Sequence, residues 1–119
     1  MDLSTLQIPV TKTNQSRISS VDFENLPFGK VYTDHMFITT YRDGRWQDAK
    51  VVPYGPISLE PAAKVFHYGQ TVFEGMKAYK DSEGKVWLFR PEDNQKRLNI
   101  SAGRLVIPEV PKELFMEGL

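Results

Sequence analysis

The sequence predicts an α+β fold: an antiparallel sheet built from two hairpins, with helices packed on one face. Three observations carry this expectation. Two runs rich in β-branched and aromatic residues flank Arg42-Asp43-Gly44-Arg45, and a second pair flanks Asp81-Ser82-Glu83-Gly84. Beyond them, Leu98, Ala102 and Leu105 recur at helical spacing.

Taken in order, residues 1–20 are polar and lack a sustained apolar period, so they read as a flexible, weakly ordered N-terminal arm ahead of one small domain over residues 21–119. Residues 31–41 and 46–52 form the first hairpin, with Asp43-Gly44 tolerating the positive φ of its turn. Pro53, Pro56 and Pro61 forbid a central strand between them, and Ser58 is placed to cap a helix starting near Pro61 and running through Phe66 until Gly69 interrupts it. Residues 72–79 and 85–89 are the strands of the second hairpin. Pro91 suits a first helical turn, and Glu92 and Asp93 complement its dipole. The spacing therefore predicts a helix over 91–105, ended by Pro108 and Pro111. Residues 112–119 look like the start of a further helix that stops without a cap, the pattern expected of a chain cut short.

Composition narrows the function. Fifteen basic and fifteen acidic residues cancel and alternate along the chain, which leaves no basic field for a nucleic acid backbone. There is no cysteine, and His35 and His67 are too far apart in sequence for a local zinc motif, so no metal is expected. No stretch approaches the roughly 18 apolar residues of a membrane span, and the amino terminus lacks a basic stretch followed by an apolar run. A soluble, cytoplasmic chain is expected.

As chemistry, the richest segment is residues 66–75, where Phe66, Tyr68 and Phe73 stand with His67 and Glu74 around Gly69 and Gly75. These residues could line a pocket, or the aromatics could be core and the glycines a bend. Arg97 lies on the predicted helix with Asn94 and Ser101 beside it at spacings of three and four. A guanidinium there could grip phosphate through its planar fork of donors, or be a solvated surface group. Arg90 and Arg104 compete for that role on charge alone, and Asn94 and Asn99 read as helix-surface residues. Nothing pairs Glu74 with His67 as a hydrolase would need, and no glycine-rich phosphate loop is present.

Three separated motifs resemble branched-chain amino acid aminotransferases: residues 28–36 (Phe-Gly-Lys-Val-Tyr-Thr-Asp-His-Met), residues 67–79 (His-Tyr-Gly-Gln-Thr-Val-Phe-Glu-Gly-Met-Lys-Ala-Tyr), and Leu88-Phe89-Arg90-Pro91 with Asn94, Arg97, Ser101, Ala102 and Arg104. The resemblance spans about residues 26 to 111. The first motif points to the mammalian-like branched-chain enzymes rather than to D-amino acid aminotransferases or aminodeoxychorismate lyases. It implies the small N-terminal domain of a fold-type IV pyridoxal-phosphate enzyme that exchanges the amino group of leucine, isoleucine or valine with 2-oxoglutarate as a homodimer. By position it implies that Arg97 holds the cofactor phosphate, that Phe28 and Phe73 line the apolar substrate pocket, and that Tyr68 reaches the neighbouring subunit's site. In that family the lysine that bonds the cofactor, the acidic partner of its pyridine nitrogen and a carboxylate-recognising segment all follow the stretch matched here, and none of the nine lysines stands in the catalytic motif. The chain alone is therefore expected to be inactive. The competing reading is a non-catalytic binding or interaction domain on the same small-domain fold.

Overall fold

The computed structural model describes residues 6–119, which divide into two compact units, one taking in the chain up to Ser58 together with Gly118–Leu119, the other Leu59–Glu117.

The first unit is built on the hairpin of β1 (His35–Arg42) and β2 (Arg45–Pro53), antiparallel with Met36 opposite Val52 and Arg42 opposite Arg45. Asp43 and Gly44 both take positive φ, 53° and 75°, the left-handed pair that matches the twist of a two-residue hairpin turn. Between the Ile38–Lys50 and Thr40–Gln47 pairs β2 carries one extra residue, and Asp48 sits in this bulge at φ 58°. β1 begins four residues later than the composition suggests. The carbonyls of Tyr32 and Thr33 accept Nη2 of Arg17 instead of entering the ladder, and Asp34 accepts the Ser16 hydroxyl at 2.6 Å and the Arg17 N–H at 3.0 Å.

Part of the N-terminal arm lies outside the described residues, and several of the others bond to the hairpin and its approach. Val10 bridges Val51, the Val51 N–H donates to Pro9, the Thr11 N–H donates to Val51, and the Thr13 N–H meets Nε2 of His35 at 2.9 Å. A polar segment without periodicity is held here by backbone and side-chain hydrogen bonds rather than by an apolar face.

In the second unit, α1 (Lys64–Tyr68) starts later than expected and Ser58 does not cap it. The segment before it closes as a turn, with the Ala63 N–H on Glu60, and Ala63 itself is the extended cap residue. Gly69 ends the helix in the left-handed conformation that glycine adopts without steric cost. The second hairpin pairs β3 (Ala78–Lys80) with β4 (Val86–Leu88), three residues each. Asp81 organises its turn: one carboxylate oxygen accepts the N–H groups of Glu83 and Lys85, and the other accepts Nε1 of Trp87 at 2.7 Å. α2 (Pro91–Arg104) follows the sequence expectation to within a residue, with proline in the first turn and Glu92 and Asp93 behind it. It ends before the prolines expected to stop it: Leu105 closes a tight last turn onto Ala102, and Val106 turns to φ 55°. α3 (Lys112–Glu117) completes the unit.

The α+β class holds. The two hairpins do not merge into one sheet, however; each forms its own two-stranded ladder. Within the first unit, residues 9–11 run beside β2 as a second neighbour. The core is small, with Ala49 in the first unit and Ala102, Leu114 and the polar Gln95 in the second.

Candidate functional site

The strongest constellation in the molecule forms where residues 69–77 meet α2. Residues 72–77, expected as strand, take no part in any ladder. Their polar groups are drawn to the helix instead. The Gly75 carbonyl accepts Nδ2 of Asn94 at 2.9 Å, and the Glu74 carboxylate accepts the same amide at 3.2 Å. Nε of Arg97 reaches Oε2 of Glu74 at 2.8 Å while its Nη2 bonds Oε1, giving a two-point fork. The Gly75 N–H donates to Oε1 as well. Asn94 and Arg97 are three residues apart on α2, so one helix face delivers both donors to a single carboxylate.

This arrangement buries the acid and exposes the base: the Glu74 side chain is 6% accessible and that of Arg97 67%. The guanidinium, followed by the Asn94 amide and the Gly75 N–H, holds the Glu74 carboxyl down to about pKa 2, against the upward push of desolvation. Arg97 thus keeps a fixed edge on Glu74 and leaves Nη1 outside the fork. Beside Asn94 and Gly75 lies an open cleft of about 430 Å³, lined further by Met76, Lys77, Tyr79 and Phe89. A separate apolar cleft of about 480 Å³ in the first unit, lined by Ile18, Val21, Phe23 and Leu26 among others, contains none of the expected site residues.

Of those residues, Arg97, Tyr68 and Phe73 belong to the second unit and Phe28 to the first. Tyr68 is the last residue of α1, Phe73 lies in the irregular segment, and Phe28 follows Pro27 in a turn closed by the Lys30 N–H. All three aromatics are bare: Phe28 is 103% accessible, Tyr68 83% and Phe73 91%. Phe66 is exposed as well, so these aromatics are not buried among the described residues. Arg90, a competitor for the phosphate role, is paired with Asp93 on its own helix. His67 places Nε2 2.7 Å from the Pro61 carbonyl rather than on Glu74.

The pairing of Glu74 with Arg97 and Asn94 is what the sequence reading did not reveal. The signal was available in the polar stripe of α2, since a buried acid in an aromatic segment needs a cation, and Arg97 stands on that stripe. Asn94 and Asn99, read as helix-surface residues, both act as tethers, Asn99 exchanging two hydrogen bonds with Val110.

In sequence this chain is homologous to aminotransferases named for branched-chain amino acids, over its whole length in one case and about four fifths of it in others. It is 48% identical over 120 aligned positions to branched-chain-amino-acid aminotransferase 2 of Bacillus subtilis, covering 100% of this chain and 32% of the relative. It is 55% identical over 96 residues to the branched-chain-amino-acid aminotransferase of Mycolicibacterium smegmatis, covering 80% and 26%. A probable branched-chain-amino-acid aminotransferase of Staphylococcus aureus matches at 56% over 95 residues, covering 79% and 26%. The chain spans about a quarter to a third of the length of these relatives. No family model matches it. Among the described residues no helix is long and apolar enough to cross a membrane, and no group of three or more metal-ligating side chains is present.

Proposed function

We propose that this chain is the small-domain part of a branched-chain amino acid aminotransferase, a fold-type IV enzyme that exchanges the amino group of leucine, isoleucine or valine with 2-oxoglutarate. The observation that carries the reading is identity of 48–56% with aminotransferases of that name over 79–100% of this chain. Pyridoxal phosphate, when bound, supplies the electron sink that the exchange needs. The donor set accommodates its phosphate: Arg97 presents an exposed guanidinium whose orientation is already fixed, and a planar fork of donors suits phosphate oxygens. In this reading Phe28 and Phe73, bare in this chain, exclude water around an aliphatic side chain, and Tyr68 reaches the second subunit of a cytoplasmic homodimer.

Arg97 is the testable member. In a chimera in which this chain replaces the matching segment of the Bacillus subtilis relative, Arg97→Ala should weaken pyridoxal-phosphate binding about ten- to a hundredfold, the loss of a charge-assisted contact of about 1.5–3 kcal/mol. Arg104→Ala should change it far less. Titration of the apoprotein measures both, and an unchanged affinity in Arg97→Ala would put the phosphate elsewhere.

A further inference from the structure

We infer that Glu74 is the positioning residue for Arg97, fixing the guanidinium through a two-point fork, with Asn94 and the Gly75 N–H fixing Glu74 in turn. This rests on the assignment of Arg97 to the cofactor phosphate. An acid next to a phosphate-binding arginine requires explanation, because its charge repels the ligand and competes for the cation. Here the acid is the buried partner and the arginine the exposed one, so the pair is anchored from beneath. Glu74 receives donors from three residues at once, which spreads its charge over groups other than the ligand. Arg97 gains more than neutralisation. A free arginine side chain samples many rotamers and must lose that freedom when it grips an anion, whereas a forked one has lost it beforehand. Orientation and repulsion thus predict opposite effects of removing the Glu74 charge.

A double-mutant cycle on the chimera, reading pyridoxal-phosphate affinity of the apoprotein, separates them. Glu74→Gln should weaken binding about three- to thirtyfold, the range set by the rotamer freedom returned to Arg97. In an Arg97→Ala background the same change should have no further effect, and Asn94→Ala should reproduce a smaller part of it. Affinity unchanged or tightened by Glu74→Gln, or losses that add in the double variant, would overturn the inference. No loss in Arg97→Ala alone would instead overturn the phosphate assignment, and the two failures are therefore distinct. Variants that unfold are bypassed by a second reading on the 119-residue chain itself. The side-chain Nε–H of Arg97 should give a slowly exchanging nitrogen-15 resonance that moves to the position of solvated arginines in Glu74→Gln. A resonance already at the solvated position in the unmodified chain would contradict the fork.

Discussion

At the scale of single residues, the Glu74 carboxyl is held down to about pKa 2 from an ordinary 4.5. A carboxyl depressed on folding contributes stability that is fully present above the unfolded pKa and is lost as pH falls through the folded one. The window for Glu74 therefore runs from about pH 4.5 down to about 2. Urea midpoints measured across it should fall more steeply for the unmodified chain than for Glu74→Gln, and parallel curves would show that the carboxylate is not engaged. Phe73 calls for a different test because its side chain is bare. One apolar pocket discriminates similar substrates by only about 1–3 kcal/mol, so a close-fitting wall matters. In the chimera, Phe73→Ala should lower catalytic efficiency for leucine and valine while hurting phenylalanine less. Equal losses for all three would mark Phe73 as structural. The aromatic identity of Phe73 was plain in the sequence, but its exposure was not, because the same residue type fills cores and pockets alike.

At the scale of elements, legibility followed how local the causes were. α2 was read to within a residue because its proline, acidic first turn and apolar spacing all act within a few positions. The Asp43-Gly44 and 81–84 turns were read for the same reason. Residues 72–77 looked like strand by composition, yet their polar groups are taken by Asn94 and Arg97, about twenty residues away, and no local rule announces such a partner. The late start of β1 has the same origin in Arg17. Packing between α2 and α3 rests on few residues, since Leu114 is 0% and Ala102 1% accessible in a unit otherwise poor in buried side chains. Leu114→Ala should accordingly destabilise the second unit by about 2–5 kcal/mol, the usual cost of emptying a closed apolar site. Denaturant unfolding followed by circular dichroism measures it, and a loss below about 1 kcal/mol would mean that Leu114 is not enclosed.

At the scale of the whole molecule, the described residues form two compact units with small cores and bare aromatics, in a chain that spans about a quarter to a third of the length of its relatives. The α+β class and the family were legible from the sequence because turn chemistry and motif order do not depend on packing. The separation into two hairpin ladders was not, because strand length and edge occupancy are decided by distant contacts. The central proposal is that these residues form part of a transaminating site. Its most direct measurement compares glutamate formation from leucine and 2-oxoglutarate, with pyridoxal phosphate present, by the 119-residue chain and by the chimera with the Bacillus subtilis relative. The chimera should turn over and the chain alone should not. Turnover by the chain alone, or a folded, cofactor-loaded chimera without activity, would contradict the account.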